Sequence, residues 1–193
     1  MITVVWSGDP GRTEEIFGPI RKAGTVVSET IRPMDYVALQ RSGDYDDPRA
    51  FSGYMKSGFT GTITSKLVDD LVDNFEHRTN RATRVVFQQS GGAIGRVAAD
   101  ATAFAHRDSK HIMLSFVSWK FGDDGAEHIR YIKSHWARME PHTRGLYTND
   151  VFAEGQAIIN ANYLGNFPRL VELKNRYDPT NLFRLNANVP PNV

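Results

Sequence analysis

The sequence predicts an α+β fold, an antiparallel β-sheet with helices packed over one face. Three observations carry this reading. Residues 83–89 and 111–119 are β-branched and aromatic runs of strand length, joined by a connector that bends at Gly91-Gly92. Leu67, Val68, Leu71, Val72 and Phe75 recur at helical spacing, and so do Ile129, Ile132 and Trp136. Strands and long helices alternate only loosely, which suits an antiparallel sheet backed by helices better than a doubly wound parallel one.

In chain order, residues 2–6 form a β-rich run that ends at Ser7-Gly8-Asp9-Pro10, with Asp9 placed as an N-cap and Pro10 at the first helical position. The helix that follows carries Ile16 and Ile20 on one face and stops near Gly24. Residues 26–53, with Pro33, Pro48 and the acidic cluster around Asp44, read as loop with short turns. About residues 64–77 form an amphipathic helix with an acidic outer face. After the two strands, Asp124 and Glu127 have capping-box spacing ahead of a helix that ends near Met139. Residues 146–149 read as a short strand, which sets Tyr147 and Asn149 on one face and Thr148 and Asp150 on the other. A helical stretch follows. The last helix has Phe167, Leu170, Leu173 and Tyr177 on its apolar side and is stopped by Asp178-Pro179, beyond which the chain is extended.

At 193 residues the chain is long enough to bury one core, and no linker or repeat divides it, so we read 1–193 as a single domain: a sheet-and-helix region at 1–160 and a C-terminal helix and tail at 161–193. Net charge is +1 with both signs interspersed, which gives no basic stripe for nucleic acid or anionic membrane. The absence of cysteine excludes disulfides, thiolate catalysis and Cys-held zinc. No leader or apolar span is visible at the start, and the expected location is cytoplasmic.

The chemistry-bearing patterns are sparse. Gly91-Gly92-Ala93-Ile94-Gly95-Arg96 has the glycines of a phosphate loop, but Val97-Ala98-Ala99-Asp100 does not open a helix that could face an anion, so it reads as a bend. His106, His111, His128, His135 and His142 form no ligand set backed by a carboxylate, and no metal is expected. No nucleophile-elbow motif appears.

The most specific pattern is C-terminal: Tyr163-x-x-Asn166-x-x-Arg169-Leu170-x-x-Leu173-Lys174-x-x-Tyr177-Asp178-Pro179-x-Asn181-Leu182-Phe183-x-x-Asn186-x-Asn188-x-Pro190-Pro191. It resembles the terminal signature of the berberine bridge enzyme-like FAD-linked oxidases. Tyr54-x-Lys56-Ser57-x-Phe59, Pro19-Ile20-Arg21, Gly91-Gly92-x-Ile94-x-x-Val97, Phe104-Ala105-His106-Arg107 and Tyr147-x-Asn149 resemble further motifs of that family, in its order.

The resemblance implies that the chain is the family's substrate-binding domain, whose sheet covers the flavin ring, with FAD held mainly by a flavin domain that is absent from these residues. It implies oxidation of an alcohol, sugar or polyphenolic metabolite. The alternative is a non-catalytic binding module derived from such an oxidase. By the same carry-over, Asp150 and Tyr147 are catalytic, and Tyr147, Asn149, Asn186 and Asn188 meet the cofactor. Tyr54, Gln89, Arg96 and His106 line the substrate pocket. Expected partners are a small-molecule substrate and either a flavin-binding domain or a second copy of the chain. Three departures stand out. Asp150 sits where many members have Tyr, Arg96 where some plant members have a Glu base, and Ala187 where Gln is usual.

Overall fold

The computed structural model describes residues 4–44, 49–150 and 154–192. The chain divides into two compact units, residues 1–46 and 47–193.

In the first unit, residues 4–6 are exposed and irregular where a strand was expected, and Ile2 and Thr3 lie outside the described residues. An extended run becomes a strand only by pairing, and within this unit no described segment offers a ladder. The Trp6 indole instead donates to the Asp9 carbonyl at 3.0 Å. Asp9 caps as expected: its carboxylate accepts from Gly11 N at 2.8 Å, ahead of a 3₁₀ turn at Pro10–Arg12 and α1 at Thr13–Arg21. The stretch read as loop holds a short helix, α2 (Tyr36–Arg41), opened by Asp35, which accepts from Ala38 N.

The second unit is built on three antiparallel strands, β1 (Phe51–Thr60), β2 (Arg84–Gln89) and β3 (His111–Lys120), in the order β1-β3-β2. β1 was not anticipated as a strand. Its sequence carries two glycines and a lysine, and its extended form rests on pairing with β3 at every position from Phe51↔Lys120 to Thr60↔His111. A side chain at Gly58 would press to 2.8 Å from Thr143, so the glycine permits that close approach.

Directly paired residues share a face. On one face Met113 and Val117 of β3, joined by Val85 and Phe87 of β2, receive α3 (Ser65–Phe75) and α4 (Ala126–Met139) through Leu67, Trp136, Met139, Tyr131 and Ile132. Burying such side chains contributes about 1.5–3 kcal/mol each. Thr64 caps α3 through Leu67 N as its position suggests. The capping box at α4 does not form: Gly125 is the N-cap, and Asp124 reaches Ala126 N instead. The other face carries Met55, Phe59, Ile112, Leu114 and Phe116 and has neither of these two helices over it, so the expected antiparallel sheet carries its two long helices on one side.

Residues 146–149 are not a strand. Leu146 N donates to the side chain of Asn162 rather than to a ladder, and a 3₁₀ turn follows at Thr148–Asp150. α5 (Gln156–Asn162) and a 3₁₀ turn at Leu164–Asn166 lead into α6 (Phe167–Tyr177). The inner side of α6 is centred on Val171, 7% exposed, while Leu173 and Tyr177 face outward. Lys174 explains the rotation. Its ammonium is drawn inward to an ion pair with Asp178 and donates to Phe183 O at 2.7 Å. Asp178 also accepts from Leu182 N and Phe183 N, so the Asp-Pro pair both ends the helix and folds the tail back.

Candidate functional site

The Thr148–Asp150 turn sits between two hollows. One, of about 340 Å³, is polar and is lined by Thr148, Asn149, Tyr163, Asn186 and Ala187. The other, of about 210 Å³, is walled by Phe59, Phe104, His106, Leu146, Tyr147 and Asn162 among others, and shares Thr148 and Tyr163 with the first. Asn186 reaches the polar hollow because it adopts φ +61°, a left-handed conformation that Asn tolerates better than most residues.

Within the turn, the Asn149 amide donates to the Tyr147 hydroxyl oxygen at 2.9 Å. The phenolic proton is therefore left for another acceptor. Asp150 N closes the turn on Tyr147 O at 2.9 Å. Burial raises the Asp150 carboxyl above its ordinary pKa, and burial likewise raises the Tyr163 phenol, which stays a donor. Just beyond the turn, Glu154 forms a largely buried ion pair with Lys56 of β1. Lys56 belongs to a motif singled out in the sequence, but that role was not foreseen.

Of the residues named from the sequence, Tyr147, Asn149, Asp150, Asn186 and His106 gather around the turn. The others do not. Tyr54 pairs with Val117 and packs with Tyr131 and Ile132 on the helix-covered face, opposite to Phe59. Gln89 ends β2 exposed across from His111, and Arg96 is exposed in a 3₁₀ turn at Ile94–Arg96. Asn188 offers its carbonyl to Gln156 and lines neither hollow. Gly92 has φ +70° and is the expected bend. The missed lining residues include Thr148, Tyr163, Phe59 and Asn162. Tyr163 and Phe59 stand inside quoted motifs, whereas nothing local marks Asn162.

Among the described residues, no group of three or more His, Asp or Glu converges to hold a metal, and no helix is long and apolar enough to cross a membrane. The amides and hydroxyls of the polar hollow are neutral and suit an uncharged polar group. The lining includes no Lys or Arg that would hold a dinucleotide's phosphates.

Residues 151–190 match the family model described as "Berberine and berberine like". The chain is 26% identical over 189 residues to the FAD-linked oxidoreductase YgaK of Bacillus subtilis (strain 168), covering 95% of this chain and 41% of that one. It is 32% identical over 192 residues to YvdP of the same organism, also named an FAD-linked oxidoreductase, covering 97% and 43%. Among solved structures it resembles chitooligosaccharide oxidase, with a TM-score of 0.75 at 19% identity over 96% of this chain and 45% of that one. BBE-like #28 from Arabidopsis thaliana gives a TM-score of 0.67 at 21% identity over 75% and 34%. The chain thus spans about two fifths of the length of YgaK and YvdP.

Proposed function

We propose that this chain, which belongs to the berberine bridge enzyme-like FAD-linked oxidoreductases, forms the substrate-side wall of a flavin site and supplies the base that deprotonates an alcohol, sugar or polyphenol. The observation that carries this is that Asn186 of the C-terminal signature lines the same polar hollow as Asn149, whose amide holds the Tyr147 hydroxyl in the turn that Asp150 closes. When bound, the flavin supplies a two-electron acceptor for hydride. The chain's part is to hold the ring edge with Asn149, Asn186 and Thr148, to present the Tyr147 proton to a substrate or ring oxygen, and to take a substrate proton on Asp150. A base on one domain facing an acceptor held by another is a natural division, because proton and hydride leave opposite ends of the same bond.

Neutral polar contacts without a phosphate site lead to a specific expectation. The isolated chain should bind riboflavin and FAD equally weakly, and Asn149→Ala with Asn186→Ala should abolish both, read by flavin fluorescence quenching. Much tighter binding of FAD, or a protein that stays yellow through gel filtration, would overturn this division of labour.

A second reading, a binding module without redox chemistry, is favoured by Arg96, which is exposed and cannot accept a proton at ordinary pH where the resemblance places a base. Substrate binding without flavin reduction, once a flavin domain is supplied, would select it.

The tail bears on partners. Leu182, Phe183 and Leu185 are 72%, 77% and 83% exposed on a segment anchored by Lys174 and Asp178. Rigidly presented apolar groups of this kind call for cover. Sedimentation velocity at micromolar concentration should show a dimer or larger species, or a complex with an added flavin domain, and deletion after Tyr177 should abolish either. A strict monomer in both experiments would remove the tail as an interface.

A further inference from the structure

We infer that His106 is the positioning residue of this site: it clasps Asn162 and, through it, the peptide that enters the turn at 147–150. The inference rests on the reading of that turn as the functional one.

A three-residue 3₁₀ turn does not sustain itself. Its own bonds are Asp150 N to Tyr147 O and the Asn149 amide to the Tyr147 oxygen. What fixes it comes from outside. Leu146 N donates to Asn162 Oδ1 at 2.8 Å, which identifies that atom as the amide oxygen. The same oxygen lies 3.0 Å from His106 Nε2, and the Asn162 main-chain carbonyl lies 2.9 Å from it. Two acceptors facing one ring nitrogen require that nitrogen to carry the proton, so His106 is the Nε2–H tautomer and donates to both. Its Nδ1 is buried without a partner.

The ring is fixed as well as the proton. It stacks on Phe59 with centroids 4.4 Å apart and an interplanar angle of 17°. Phe59 in turn stands edge-on to Tyr147 at 6.4 Å and exchanges two backbone hydrogen bonds with Arg144, of 3.1 and 2.9 Å. Between Arg144 and Leu146, Gly145 has φ +55°, and a Cβ there would lie 2.4 Å from the His106 ring and 2.6 Å from Asn162 Oδ1. The backbone can pass this close only because residue 145 has no side chain. Strand β1, the loop before β3, the approach to the turn and the end of α5 therefore converge on one imidazole. At 2% exposure and with Nε2 committed internally, that imidazole acts through Asn162 rather than on a ligand.

The test separates donation from filling. His106→Phe keeps a ring on Phe59 but cannot donate, whereas His106→Gln places an amide N–H near the position of Nε2. In His106→Phe, hydrogen exchange of the Leu146 amide should rise about ten-fold or more while the β3 amides stay protected. The Asp150 carboxyl, followed by ¹³C NMR, should titrate closer to an ordinary aspartate. His106→Gln should restore both. If His106→Phe fails to fold, Asn162→Leu, which leaves His106 in place, should show the same two changes. Identical behaviour of the Phe and Gln variants, unchanged Leu146 exchange, or equal acceleration at Leu146 and throughout β3 would each overturn the inference. None of these readouts needs flavin, so a failed oxidase reading would leave the clasp standing, and the reverse.

Discussion

Asp150→Asn should lower turnover of the flavin-loaded assembly by about 10²–10⁴-fold while leaving substrate binding nearly unchanged. The substitution keeps shape and hydrogen-bonding capacity and removes only the ability to take a proton. Burial already raises the Asp150 carboxyl, and a base with a raised pKa is the stronger base once ionised. In the parent, turnover should climb as pH rises through that raised value, and in the variant this limb should vanish. Stability should move the other way. A carboxyl whose folded pKa is raised favours the fold below its unfolded pKa and loses that contribution as pH rises through the folded value, so Asn at this position should be neutral or mildly stabilising at pH 7. Unchanged turnover in Asp150→Asn would remove the residue from the chemistry.

The parts of the fold legible in the sequence are those whose signal is local. Leu67, Val68, Leu71, Val72 and Phe75 announce α3 within one stretch of chain, and the β-branched and aromatic runs at 83–89 and 111–119 announce two strands. β1 was missed because Ser52, Gly53, Lys56, Ser57 and Gly58 weaken every local strand signal, and only the ladder to β3 makes the segment extended. Tyr147 and Asn149 were found as a pair, but through a supposed strand. They meet because a 3₁₀ turn brings the amide to the phenol. Tyr54 lies apart from the turn for the complementary reason: a motif gives spacing along a strand but not which face of the sheet an even-numbered position takes. In the C-terminal signature, Lys174, Asp178 and Asn181 turn out to serve turn chemistry, with Asn181 at φ +54°, while Asn186 alone of the tail asparagines lines a hollow. His106 and Asn162 are 56 positions apart, and no periodicity connects them.

Between α3, α4 and β3 lies a buried polar chain that should set the acid stability of the second unit. Asn74 Oδ1 is 2.8 Å from His135 Nδ1, and His135 Nε2 is 3.1 Å from Ser115 Oγ, with the Tyr131 ring stacked on the imidazole and its hydroxyl donating to Asn74 O. The resemblance to a hydrolytic triad is only topological: Ser115 is fully buried and lines neither hollow. With Nδ1–H donated to Asn74, Nε2 is an acceptor, and protonating it would set a cation against a serine hydroxyl among Tyr131, Met113 and Trp136. Burial accordingly lowers the His135 pKa to about 4. A histidine with a depressed folded pKa favours the fold above its unfolded value, near 6.5, and that contribution is lost as pH falls toward 4. The loss should be on the order of 3 kcal/mol in total, with a slope approaching about 1.4 kcal/mol per pH unit within the window. Asp70, Asp108 and Asp178, held low by Lys66, Arg144 and Lys174 respectively, release their share only at lower pH, so the histidine step should come first. Denaturant midpoints followed through Trp119 and Trp136 fluorescence, with Trp6→Phe to silence the first unit, should fall between pH 6.5 and 4 in the parent. In His135→Gln, weaker overall but without the proton, they should stay nearly level. An equal slope in both proteins would show that the acid limb belongs to the carboxylates, and that the Asn74–His135–Ser115 chain packs the helices without tuning their response to pH.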